Sequence, residues 1–145
     1  MDLRDSAILK NTVGMLFPFI AMFGFYLTSY GANFPGGGFQ AGVVFGTVVI
    51  VVEMVFGRRI FENSFYMKIE FLGLLFLFTA LVLGYFLTDH FFSGLYGATT
   101  ASPMFSNVFY WFLNLAIYSE VSGSLILIYR SLIEWKGDEP YRDRL

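Results

Sequence analysis

Cysteine is absent from the chain, and histidine occurs once, at His90. Without thiols no disulfide forms, and no iron–sulfur cluster or thiolate zinc site is held by this chain alone. One histidine does not assemble a multi-histidine metal site, so the residues imply no cofactor in this chain. Charge is scarce as well: 14% of residues are Asp, Glu, Lys or Arg, against about 25% in soluble domains. The formal net charge of −2 gives no case for nucleic-acid binding, which usually demands a basic stripe. Two connections between apolar runs, 31–37 and 89–103, contain no Lys or Arg at all.

What fills the 145 residues is apolar. Hydrophobic residues make up 57% of the chain, with 19 Phe and 9 Tyr, and the mean hydropathy is +0.65. Such an excess points to lipid rather than water as the surrounding medium. Aromatics in this number cover lipid-facing surface and mark the two membrane interfaces. The expected fold is all-α, an integral membrane protein with four transmembrane helices. Its spans are placed at about 8–30, 38–56, 68–87 and 104–133, each near the ~20 residues that a hydrocarbon core requires. Pro18 is expected to kink the first span, and the fourth is long enough to tilt or project. Residues 1–135 then form one four-helix membrane domain, and 136–145 a polar cytoplasmic tail.

All nine basic residues fall on one side of this arrangement. Arg4 and Lys10 precede or open span one, and Arg58, Arg59 and Lys68 follow span two. Arg130, Lys136, Arg142 and Arg144 gather towards the C-terminus. By the positive-inside rule both termini face the cytoplasm. The first apolar run lacks a small-residue cleavage site and leads through a tight turn into the next span. A retained helix is therefore expected rather than a cleaved signal peptide.

That turn is Asn33-Phe34-Pro35-Gly36-Gly37-Gly38-Phe39-Gln40-Ala41-Gly42. Pro35 fixes a backbone angle, and three consecutive glycines permit conformations that other residues avoid. Beyond the turn, Gly38, Gly42 and Gly46 recur every four residues and so share one face of span two. In membranes that spacing allows helix backbones to approach closely. Ser119 and Gly123 repeat the pattern more weakly on span four.

The run Asn33-x-Pro35-Gly36-Gly37-Gly38-Phe39-x-x-Gly42 resembles the signature of the B subunit of Mrp-type multisubunit cation/proton antiporters. The similarity covers nearly the whole chain and includes 113–118 in span four, with Asn114 standing where family members often carry aspartate. The resemblance implies a required small subunit of an assembly that exchanges sodium for protons across the cell membrane, its large subunits bearing the proton channels. It implies other membrane subunits as partners and Na+ and H+ as transported ions. A B-like subunit also occurs in archaeal membrane-bound hydrogenases and sulfane-sulfur reductases, where a similar module is coupled to redox chemistry. Nickel or iron–sulfur content in the native complex separates those assemblies from a plain antiporter.

Several polar residues lie inside the expected spans. Glu120 sits near the middle of span four, where an ionised side chain costs about 2.5–3.5 kcal/mol. Tyr118, Ser119, Ser122 and Ser124 surround it in sequence. It is a candidate proton or sodium relay, or else a carboxyl that binds a neighbouring subunit. Asn114 suits an interhelical hydrogen bond, or the orientation of water or a cation. Glu53, in the last turn of span two, is expected to pair with Arg58 and Arg59 at the interface, or to receive cations there. Glu70 takes Lys68 as its neighbour on the same reasoning. Asp89 and His90 are read as a solvated pair, with proton transfer as the alternative. With no second histidine or acidic cluster, catalysis by this chain is not expected.

Overall fold

The structure is a computed structural model that describes residues 6–31, 36–88 and 103–137. Asn33, Pro35, Asp89, His90 and most of the expected tail lie outside the described residues. Within them the protein is all-α, built of helices α1 (Ala7–Tyr30), α2 (Gly38–Phe56), α3 (Asn63–Thr88) and α4 (Pro103–Gly137). All four are long and apolar enough to cross a membrane. No strand occurs among the described residues.

Local chemistry accounts for the helix ends. Ser6 caps α1 by accepting from the Leu9 N–H at 3.3 Å, which satisfies one of the donors a helix start leaves open. The helix then runs unbroken through Pro18. Gly57 ends α2 in the left-handed region at φ 64, donating its N–H to the Glu53 carbonyl at 2.9 Å, a conformation glycine adopts without a Cβ penalty. Pro103 opens α4, where a missing N–H removes no intrahelical bond. Helix α3 begins at Asn63, ahead of the span start expected near Lys68. Its polar first turn is retained because the Asn63 side chain is bonded to α4. At 35 residues α4 is about 50 Å long, and the core of a bilayer is about 30 Å thick.

Helix α4 is the element on which the others converge. Both α2 and α3 pack along it, α1 packs chiefly on α2, and α3 packs almost entirely on α4 among the described residues. The spatial order is therefore α1, α2, α4, α3. Val49, Tyr66 and Ile126 form a buried cluster where α2, α3 and α4 meet, surrounded by Phe17, Phe45, Ile50 and Leu127.

Small residues set the helix separations. A Cβ added at Gly42 would stand 2.8 Å from the Val121 Cβ and 3.0 Å from the Tyr118 carbonyl oxygen. At Gly46 it would meet the Leu125 Cδ2 at 2.9 Å, and at Gly38 it would collide with the Asn114 carbonyl. The glycine face of α2 is thus applied to α4. The α3 contact uses Gly73, whose added Cβ would lie 2.8 Å from both the Ala116 carbonyl oxygen and the Ser119 Oγ. Gly123 of α4 reciprocates against Tyr66 and Glu70 of α3. At the first turn, a Cβ on Gly31 would come within 2.5 Å of the Gly37 Cα. Phe39, in the same motif, points outward at 64% exposure.

Gly42→Leu is expected to destabilise the chain by about 1–3 kcal/mol or to block its assembly, because the α2–α4 contact has no room to relax. Gly14→Ala meets only Phe56 at 3.7 Å, and should be neutral or stabilising by up to about 1 kcal/mol. Thermal unfolding of the two variants in detergent checks the contrast.

Candidate functional site

Three polar groupings are strung along α4. From Asn114 to Arg130 they span 16 helical steps, about 24 Å of axial rise.

At one end, the Asn114 Oδ1 accepts from the Gly38 N–H at 3.2 Å. Gly37 offers α2 no side-chain cap, so the cap comes from another helix. Four residues on, the Tyr118 ring lies 5.5 Å from that of Phe45. Asn114 and Tyr118 both face α2, and the amide oxygen is occupied by backbone.

At the opposite end, Arg130 is buried at 4% exposure and Glu53 at 7%. The Arg130 Nε donates to the Glu53 Oε2 at 3.0 Å, and Nη2 donates to Oε1. Nη1 donates to the Asn63 Oδ1 at 2.6 Å, while Nη2 also reaches the Phe61 carbonyl at 2.9 Å. Below the guanidinium lies the Tyr66 ring, 4.8 Å from Cζ. The Glu53 Oε1 additionally accepts the Ile60 N–H at 3.1 Å. One guanidinium therefore binds α2, the 57–62 connection and α3. A planar fork of donors suits this task where a lysine would not.

This corrects the expectation that Glu53 pairs with Arg58 and Arg59. Both arginines are exposed; Arg59 pairs with Glu134, and the Arg58 Cζ stands 6.0 Å from the Phe56 ring centre. The partner of Glu53 lies 77 positions away. Sequence did carry a signal for it: Arg130 interrupts an apolar run, and a cation so placed needs a partner.

Between these ends is the α3–α4 seam. The Ser124 hydroxyl donates to the Glu70 Oε1 at 2.5 Å, so Glu70 is held by a serine and not by Lys68, which is exposed. One turn along, Glu120 is half-buried beside Gly73, whose added Cβ would lie 3.3 Å from the Glu120 Cβ. Nearby hydroxyls are already committed to backbone: Ser119 donates to the Ala116 carbonyl at 2.8 Å and Ser122 to the Ser119 carbonyl at 3.2 Å. Among the described residues nothing hydrogen-bonds to the Glu120 carboxylate, whereas Glu53 and Glu70 are both engaged. The structure therefore keeps Glu53, Asn114 and Glu120 apart, in three separate groupings. Gly73, which makes room beside Glu120, was not among the residues singled out from sequence.

A multi-pass membrane protein is defined by these four helices, with a closed polar clasp at one end and an open carboxylate at mid-span. Residues 8–127 match the family model described as the domain related to the MnhB subunit of Na+/H+ antiporter, and the chain belongs to that family. It is accordingly a subunit of an antiporter-type module, and its partners are the other membrane-embedded subunits of such an assembly.

Arg130→Ala or Glu53→Ala is expected to cost about 3–5 kcal/mol, since either leaves a buried charge without its partner. Arg59→Ala, at an ion pair more than half exposed on both sides, should cost no more than about 1 kcal/mol. Denaturation midpoints at low and high salt separate the two classes: only the Arg59–Glu134 contribution should fade with salt.

Proposed function

We propose that this chain is a scaffold subunit of a sodium/proton antiport module in the cell membrane, and that Glu120 is its point of contact with the transported ions. The observation that carries this reading is the unengaged state of the Glu120 carboxylate, half-buried in the middle of the Tyr110–Trp135 span. An ionisable group at that depth is costly to keep and is usually found facing a bundle interior, a partner or an ion route. Of the other candidates, the Glu53 carboxylate is taken up by Arg130 and the Asn114 Oδ1 by the Gly38 N–H, and both serve the scaffold.

In this reading α4 holds α2 and α3 in fixed register, and Gly73 lets α3 pack closely beside Glu120 while the carboxylate stays without a hydrogen-bond partner among the described residues. A proton or a sodium ion exchanges at Glu120 with groups of an adjoining subunit. Large apolar side chains on α1 and α3, among them Phe19, Met22, Phe71 and Phe78, remain exposed for lipid or neighbouring helices. The one-sided distribution of basic residues supports termini on the cytoplasmic side.

Replacing Glu120 by Gln in the assembled complex tests this assignment. Exchange activity in vesicles should be largely lost while complex yield stays at the wild-type level, and Glu120→Asp should restore part of it. Full exchange by Glu120→Gln would overturn the assignment and leave the chain a scaffold only.

A further inference from the structure

We propose that the groove between α1 and α2 is a binding site for one anionic glycerophospholipid, with an acyl chain lying between the helices and the headgroup phosphate held by Arg58 and Lys10. The α1–α2 interface is incompletely filled. A cavity of about 380 Å³ runs along it, walled by Val13, Phe17 and Ile20 of α1 and by Val44, Val48 and Val51 of α2. Its size falls in the range of about 300–1,000 Å³ typical of small-ligand pockets. Leu16, Thr47 and Val51 stay exposed at its rim, so the groove opens sideways to the surrounding lipid.

Phe17 also lines a second cavity of about 410 Å³, which continues towards the end of the helices and reaches Phe56, Arg58 and Arg59. The apolar groove therefore leads to two guanidinium groups. Arg59 is already paired with Glu134. Arg58 has no carboxylate partner among the described residues and stands over the Phe56 ring instead. Lys10 stands one turn before Gly14 on α1, hence on the face that borders this second cavity. The α1 start and the α2 end are neighbours, since a Cβ at Gly14 would meet Phe56 at 3.7 Å.

Dimensions and charge agree on the occupant. From Val13 to Ile20 the groove covers about 10 Å of helix, and one leaflet of hydrocarbon is about 15 Å deep. An acyl chain entering from the basic end is accommodated over most of its leaflet. Two cations at the mouth favour a phosphate without a compensating ammonium, so phosphatidylglycerol is preferred over phosphatidylcholine. Each basic side chain near an anionic lipid contributes about fivefold in affinity.

The test uses the intact antiporter complex, reconstituted with phosphatidylglycerol or phosphatidylcholine carrying the same diazirine on one acyl chain. After photolysis, labelled peptides of this chain are quantified by mass spectrometry. Labelling by the phosphatidylglycerol probe should concentrate on 13–20 and 43–51 and exceed that by the phosphatidylcholine probe. Arg58→Gln should reduce it about fivefold, with Arg58→Lys restoring it. Val51→Trp, at the rim, should suppress the label while leaving the headgroup cations in place. Equal labelling by both probes, or labelling indifferent to Arg58→Gln, would show bulk lipid only and overturn the site. Absence of label in the groove together with cross-links to another subunit would show that a neighbouring helix fills it, and would overturn it equally. The readout is independent of ion exchange, so it stands or falls apart from the role of Glu120.

Discussion

Close approach to α4 is the constraint on which the rest of this protein depends. Lipid tails are as apolar as the helices, so burial of apolar surface does little to hold one span against another. Dispersion contact must do it, and dispersion fades over fractions of an ångström. The chain meets this by placing Gly38, Gly42 and Gly46 of α2 against one side of α4 and Gly73 of α3 against another. Gly123 supplies the matching gap on α4 itself. Helix α1 has a lighter attachment, burying only Gly24 and Thr28, and the groove beside it follows from that.

Where the two seams converge, Arg130 joins α2, the 57–62 connection and α3 through a single side chain. A buried ion pair is a poor source of net stability compared with apolar packing, because both ions lose their hydration. Its contribution here is register. Glu53 is satisfied by two guanidinium nitrogens and a backbone amide at once, a set of contacts that a sliding helix would break. The same logic divides the intramembrane acids. Glu53 and Glu70 are engaged and hold the bundle together, and Glu120, beside the close contact that Gly73 permits, accepts no hydrogen bond among the described residues.

Much of this architecture was legible in the residues. Four apolar runs, a proline–glycine turn and a four-residue glycine repeat specify helices, a tight first connection and one smooth helix face. Which helix receives that face is another matter. Hydropathy orders spans along the chain, not around each other, and the adjacency of α4 to both α2 and α3 emerges only when long-range contacts are known. For the same reason sequence proximity points Glu53 to its nearest cations, Arg58 and Arg59, although a buried carboxylate needs a cation that can be buried with it. Arg130 meets that need from the middle of an apolar stretch. Gly73 was overlooked because it stands alone; its purpose is visible only from the α4 residues that press on it.

The central arrangement, α3 docked on α4 through small residues, is open to a direct chemical measurement because the chain has no cysteine of its own. A Cβ at Gly123 would lie 3.5 Å from the Glu70 Cβ, within the separation of about 3.5–4.5 Å that a disulfide spans. Oxidation of the Glu70→Cys/Gly123→Cys double variant in native membranes, followed by mass spectrometry of linked peptides, reports that contact. Near-complete cross-linking within the chain is the result this architecture predicts. No cross-link, or oxidation no greater than for Glu70→Cys paired with Thr47→Cys on the outer face of α2, would contradict it.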